Sequence, residues 1–510
     1  MTDSAPRKRS ATRGPRTMGT LHQTPFGQVP RPYAPTEVLS TDHVMAIHNS
    51  ALRVLAEIGM AVLEPRARDL FARAGAEVSG DTVRLDADLV GSLLSTVPRS
   101  FRLEARNPAR SLRFGGADCV FASVGGPAYV MDNDGGRRNG TFAEMQDYLK
   151  LVQSLNVIHQ SGGNPFEPMD LPPNTRYLDC FHAQIQLLDK NWQTETLGQQ
   201  RTLDGIEMAA ISLGTTPEGL RDRPCLLGII NTNSPLQLDI PMAEGLMMMA
   251  EFGQVVVITP FTLAGAMSPV TLAGALVMQH AEAMVGIALT QIVRKGVPVM
   301  YGGFTSNVDM RSGAPAFGTP EYTKAAQASG QLARLIGVPF RSSNVNAANE
   351  VDAQAAYESQ MSLWGAMMGG AHLIEHAAGW LHGGLTASFE KLIVDAEMLQ
   401  MMQEYFKPLV VDEATLAFDA IREVGSGGHF FGSEHTMSRY EQAFYTPLLS
   451  NWDNHTTWLG KGGIKTRERA NLVWKQLLVE YEQPPLDPAI DEALAAFVAR
   501  RKEEGGAPMN

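Results

Sequence analysis

A chain of 510 residues, 44% hydrophobic and 19% charged, has room for one large globular domain with extensions and is neither disordered nor fibrous by composition. Forty-two basic against 54 acidic residues leave a net charge of −12, which argues against a nucleic-acid partner. Cys119, Cys180 and Cys225 are too few and too scattered for a disulfide framework or a zinc cluster and fit a reducing, cytoplasmic compartment. Apolar stretches such as 255–267 and 284–293 fall short of the ~18 residues of a membrane span, so a soluble chain with no membrane partner is expected.

Residues 1–35 are Pro-rich and aperiodic and hold the one basic cluster, Arg7, Lys8, Arg9, Arg13 and Arg16. No apolar run follows it, so a disordered tail is expected and not a signal peptide. Residues 36–116 form an expected extension. It reads as mostly helical over 40–94, with short strands or loops over 101–116 and a turn at Asn107-Pro108.

From 117 to 400 the chain keeps a rhythm of short apolar run, polar turn, amphipathic helix and closing glycine. Thr141-Phe-Ala-Glu144 is a capping box, and Pro241, Pro269 and Pro320 stand where a first-turn proline loses no hydrogen bond. Gly253, Gly296, Gly337 and Gly370 each stand just before an apolar run, where a helix ends most easily in positive φ. Eight strands are expected, over 119–125, 156–162, 192–198, 225–231, 255–262, 297–304, 338–344 and 371–377. Eight βα units in succession predict an α/β protein of the (β/α)8 TIM-barrel class. The rival, an open doubly wound sheet, lacks its Gly-rich phosphate loop, since Gly125-Gly126-Pro127 is no GxGxxG. Residues 401–510 complete the chain. They hold the end of a Met-rich helix that starts near 389, a Gly/His/aromatic segment over 424–463, and charged helices over 465–480 and 487–502. These pack across the barrel or make a subunit contact, which leaves a homo-oligomer open.

In such a barrel chemistry sits at the carboxyl ends of the strands. Those ends supply mostly amides and hydroxyls, among them Asn164, Asn231, Asn344 and Asn346, with His159, Glu195 and His376. That lining suits hydrogen bonding to a small polar ligand better than proton abstraction. His372-Leu-Ile-Glu375-His376 matches a zinc-protease pattern that requires a helix, whereas glycines on both sides mark a strand here. Zinc is therefore not expected. On a regular strand the two histidines would share one face and Glu375 the other.

Several dispersed stretches carry a likeness to a known family: Gly126-Pro-Ala-Tyr-Val-Met-Asp132, Tyr301-Gly-Gly-Phe304, Asp309-Met-Arg311-Ser-Gly and Asp352-Ala-Gln354-Ala-Ala-Tyr-Glu358. Gly427-Gly-His429-Phe with His435-Thr436 and a block from Trp458 and Gly460 to Arg469-Ala470 extend it. Over about 34–480 the chain resembles the trimethylamine methyltransferase family, whose members are (β/α)8 barrels. The resemblance implies that an amine is bound in the barrel while a separate corrinoid (cobalamin) protein presents Co(I), which attacks an N-methyl carbon. It implies no tightly bound cofactor, no metal ligand and no protein nucleophile. The founding members carry pyrrolysine, which this sequence lacks; its place corresponds to the 344–349 region. The expected substrate is therefore a quaternary amine such as glycine betaine and not trimethylamine.

Aromatic faces for the ammonium, at about 0.5–2 kcal/mol each, are expected from Tyr301, Phe304 and Trp380. A carboxylate donor is expected from His159, His376, Asn346 or Arg311, and Asn231 and Asn344 complete the expected site. Three alternatives stay open at this point: trimethylamine or another methylamine as the substrate, a methyltetrahydrofolate-linked transferase using Glu195 or Glu375, and a catalytically silent betaine-binding barrel.

Overall fold

The computed structural model describes residues 20–508. The basic cluster at 7–16 lies outside them. Seven strands form one parallel sheet: β1 (Val120–Ser123), β2 (Gln193–Glu195), β3 (Leu227–Ile230), β4 (Val255–Ile258), β5 (Val299–Gly302), β6 (Phe340–Ser343) and β7 (Leu373–Ala378). Their order is β1-β7-β6-β5-β4-β3-β2, so the first strand pairs with the last, Val120 opposite Leu373. The expected strand at 156–162 is not one. Only Gln160 makes isolated parallel bridges, to Ala122 beside it and to Asn191 just before β2.

The helices between strands follow their capping chemistry: α1 (Phe142–Ser154), α2 (Arg176–Leu187), α3 (Gln199–Ser212), α4 (Ile240–Glu251), α5 (Leu272–Val293), α6 (Pro320–Ile336), α7 (Ala353–Met368) and α8 (Phe389–Phe406). Thr141 closes its capping box onto α1. Pro241 and Pro320 lie in the first turns of α4 and α6. Pro269 instead precedes α5, whose N-cap is Thr271. Gly253, Gly296, Gly337 and Gly370 all have positive φ.

Both faces of these strands are buried, as parallel strands under helices require. Val120, Ala122, Leu227, Val255, Val257, Met300 and Leu373 share one cluster on the inner face. A hairpin of Phe101–Leu103 and Leu112–Phe114 closes that cluster at one end. Phe121, Val256, Ile258, Val299, Tyr301, Phe340 and Ile374 face the other way into the helical layer.

The longest described helix, α5, has 22 residues and a mean hydropathy of 1.5, enough by length and composition to cross a bilayer. This corrects the expectation that no stretch reaches that length. Yet α5 is a core helix whose polar groups are satisfied inside the protein. Gln279 donates to the Tyr301 hydroxyl (3.1 Å) and to Ser329 (2.9 Å), while Glu282 accepts from Ser234 and the Leu236 amide.

The extension adds helices Thr41–Arg53, Pro65–Ala74 and Ala87–Leu94, and also three short strands in a span expected to be mostly helical. Residues 20–35, expected as part of a tail, lie along the sheet and its helices. Gln23 donates to the Ser154 carbonyl, the Thr24 amide to Gln400, and Gln28 to the Arg113 carbonyl. Helices Thr466–Glu480 and Pro488–Glu503 pack on α8 and α2 respectively. Between α8 and those helices, residues 407–463 are mostly exposed, with Leu409, Phe431, Phe444 and Trp452 turned to solvent.

Candidate active site

A cavity of about 610 Å3 opens among the residues that follow the parallel strands, within the usual size range of a small-molecule site. Two glycine pairs, Gly125-Gly126 and Gly162-Gly163, line it where backbones approach closely. A Cβ on Gly162 would stand 2.1 Å from the Ser123 carbonyl oxygen and 2.8 Å from Glu375 Oε1, so only glycine fits there.

One wall is acidic and hydrogen-bonded. Glu195, at the end of β2, accepts from Asn164 Nδ2 and from Arg201, both at 2.6 Å. Glu167 lies 3.5 Å from Arg176. Burial, then the neighbouring Glu195 charge, holds the Glu167 carboxyl above the usual range. Arg201 lies over the Tyr177 ring at 5.1 Å, and Tyr177 bonds Asp204, which Arg501 of the C-terminal helix holds at 2.8 Å. The wall is thus tied through four side chains to the far end of the chain.

The opposite wall is aromatic. Phe261 and Phe304 stand 5.2 Å apart, Phe304 and Trp380 6.3 Å, and His376 and Trp380 4.3 Å between ring centroids. Trp380 is clamped by Asn346, whose amide donates to its carbonyl (2.7 Å) and whose carbonyl accepts from its indole N–H (3.2 Å). Behind it the Gly379 amide donates to Asp395, which pairs with Lys391; both side chains are fully buried.

His376 breaks the strand. Its φ is +53°, and the β1–β7 register shifts between Ile374 and Ala378. This bulge re-aims the following side chain. Glu375 keeps the inward phase of Leu373 and reaches Gln193 across the interior (2.9 Å), while the bulge lets His376 line the cavity as well, which regular alternation forbids. Burial raises the Glu375 carboxyl to about 7. His376 is held well below the usual imidazole range by burial and then by the Arg341 charge, so it is neutral. His372 lies at the other end of the strand, its ring nitrogens bonded to the Phe340 amide and the Gly116 carbonyl. Among the described residues no group of three or more His, Cys, Asp or Glu is placed to hold a metal ion.

Of the nine expected site residues, Asn231, Phe304, His376 and Trp380 line the cavity. The other five stand elsewhere. His159 packs between Phe121 and Phe26 with both ring nitrogens engaged. Tyr301 turns outward to Gln279 and His280, because Met300 takes the inward position in that apolar run. Arg311 is exposed in a loop after β5. Asn344 is buried against the Ala377 carbonyl, and Asn346 acts through Trp380.

Sequence reasoning left out Arg341, Glu167, Phe261 and Thr194, which all line the cavity. Arg341 did leave a signal, a lone charge inside the apolar run Val338-Pro-Phe-Arg. On a strand buried on both faces, such a charge must meet a partner or a ligand.

The family model described as trimethylamine methyltransferase (MTTB) matches residues 5–506. The chain belongs to the trimethylamine methyltransferase family. It is 39% identical over 470 residues to a glycine betaine methyltransferase of Desulfitobacterium hafniense, covering 92% of this chain and 98% of that protein. It is 26% identical over 426 residues to a proline betaine:corrinoid methyltransferase of Eubacterium limosum, covering 81% and 87%. The solved monomethylamine methyltransferase of Methanosarcina barkeri aligns over 92% of this chain and 93% of that one, with a TM-score of 0.45 and 9% identity. Membership makes this chain a methyltransferase, as the family likeness implied.

Proposed function

We propose that the protein moves a methyl group from a quaternary amine, glycine betaine or a close relative, to the Co(I) of a separate corrinoid protein. The observation that carries this reading is the aromatic corner of Phe261, Phe304 and Trp380, facing the Glu195 and Glu167 carboxylates across one cavity. Aromatic faces and carboxylates are the two groups that hold a fixed ammonium charge, which cannot donate a hydrogen bond. The full-length relatives named for glycine betaine and proline betaine support the same substrate class.

The corrinoid would supply the methyl acceptor, presented at the cavity mouth by its own protein. The chain's own residues then have three tasks. They hold the ammonium, aim one methyl group outward and keep water from the reacting carbon. Losing a methyl from a quaternary nitrogen leaves a neutral tertiary amine as leaving group, so departure needs no proton. A neutral His376 suits that chemistry, because it adds no charge to the corner.

The folate-linked alternative needs a free carboxylate in the lumen; Glu195 is engaged by Arg201, and Glu375 bonds Gln193 through one oxygen while its Oε1 has no partner, so folate binding by calorimetry is the check on that alternative. For the fold, we read Gln160 as the residue that closes the sheet into an eight-stranded barrel, with 156–162 as its irregular eighth stave. A core position for α5 and three buried free cysteines support a soluble, cytoplasmic protein.

The test is a panel of methylated amines with reduced corrinoid protein, or free reduced cobalamin, followed by absorbance and by assay of the demethylated product. Dimethylglycine formed from glycine betaine is the expected result. Binding without turnover, with corrinoid protein present, would mean a silent barrel, and neither binding nor turnover with any quaternary amine would end the reading.

A further inference from the structure

We propose that Arg341 is the anchor for a substrate carboxylate, and that it makes the cavity selective for amino-acid betaines over quaternary amines without one. The inference rests on the reading of this cavity as a quaternary-amine site.

Arg341 is the second residue of β6, opposite Leu373 of the inner-face cluster, so it points inward and lines the cavity. It is 2% exposed, yet its Nε and Nη1 make no hydrogen bond, and it forms no ion pair among the described residues. A guanidinium stays charged at any working pH and brings five donors in a planar fork. Burying it unpaired is costly, and in folded proteins such a charge is normally matched.

Its candidate internal partner is weak. Glu375 is the carboxyl whose field reaches it, and burial holds that carboxyl near 7, so much of it is neutral at physiological pH. The other charged walls do not serve, because Glu195 and Glu167 are taken by Arg201 and Arg176. An anion entering the cavity would supply what the protein leaves out.

The neighbouring groups sharpen the ligand. The guanidinium lies 5.3 Å from the Phe304 ring centroid, so the aromatic corner already borders one cation. A plain cation such as choline or tetramethylammonium would be repelled there, whereas a betaine brings its own carboxylate to lie between the two positive charges. Selectivity of this kind combines attraction for one ligand with repulsion of its analogue. His376 adds a second donor position, since its Nδ1 is buried without a partner and the ring is held in the corner by a backbone at φ +53°. A non-glycine residue in that region is strained, and such strain is kept where it aims a functional side chain.

The test is calorimetric titration of glycine betaine, choline and acetate into wild type, Arg341→Met and Arg341→Lys, each checked for a native unfolding transition. Arg341→Met should weaken glycine betaine by about 30-fold or more, leave choline unchanged or tighter, and abolish acetate binding. Arg341→Lys should recover part of the affinity through charge without the fork. Unchanged glycine betaine binding in folded Arg341→Met, or equal weakening of betaine and choline, would overturn the anchor. Wild type that binds acetate through Arg341 but no quaternary amine would overturn the proposed function and leave the anchor standing.

Discussion

On the β2 side of the cavity the charges are partnered within the protein. Glu195 sits between Asn164 and Arg201, Glu167 beside Arg176, and the chain of contacts runs on to Asp204 and Arg501. On the β6–β7 side, Arg341 Nε and Nη1 and His376 Nδ1 have no partner. Each wall carries an arginine with little solvent exposure, Arg201 on one side and Arg341 on the other. What separates them is whether the charged groups are paired before a ligand arrives: Thr194 Oγ1 and Arg201 Nε also lack hydrogen bonds on the β2 side, but Arg201 is paired with Glu195. A wall whose charges are paired is scaffold, and one that keeps a buried charge unpaired is the half of a binding site that the ligand finishes.

The strongest way to probe this contrast lies just behind the incomplete wall. Asp395 holds the Gly379 amide and balances the fully buried Lys391. Asp395→Ala leaves that ammonium alone and should cost about 3–5 kcal/mol in chemical denaturation; a loss under 1 kcal/mol would show that the corner does not depend on the pair.

The walls themselves should respond in opposite senses. Arg201→Met strands Glu195 and should destabilise the ligand-free protein by about 2–3 kcal/mol. Arg341→Met removes an unpaired buried charge and should leave stability unchanged or higher. Equal losses of Tm in both variants would abolish the distinction.

His159 and His376 make the same comparison for imidazoles. His159 has both nitrogens bonded, and burial, with the Lys190 charge second, lowers it to about 3. The unfolded chain takes up a proton near 6.5 that the folded chain refuses. Stability is therefore full above pH 6.5 and lost as pH falls toward 3, by about 2 kcal/mol at pH 5 for this group. Replacing His159 with Gln should flatten that part of the pH–stability curve, while His376→Gln should act mainly on binding.

The smallest effect expected is on affinity against pH. Glu375 faces Arg341, the Gln193 amide and the His376 backbone N–H. Its carboxyl binds a proton more tightly folded than unfolded, so its contribution to stability falls as pH rises from about 4.5 to about 7. Above 7 its charge competes for Arg341, and KM for glycine betaine should rise about three- to tenfold. A KM profile as steep in Glu375→Gln as in wild type would remove Glu375 from the account.

Helix ends were legible because capping chemistry is local. Thr141-Phe-Ala-Glu144 and the glycines at 253, 296, 337 and 370 behave as their residue types dictate. Seven strands were legible from apolar runs, and the family from dispersed stretches. The strand expected at 156–162 is not one, because Gly162-Gly163 and a single bridging residue, Gln160, carry little ladder.

What the sequence by itself determined is the βα order, the chain's family and the residue types gathered at the strand ends. Only the tertiary structure decided which of them face the ligand. In a parallel strand covered on both sides, every residue is buried, so apolarity does not reveal phase. Met300 turns in and Tyr301 out for packing reasons set by α5. A bulge at His376 brings Glu375 and His376 to the same interior, and a register opposite Leu373 aims Arg341 inward. Each of these is a choice between two faces, made by contacts between segments far apart in the chain.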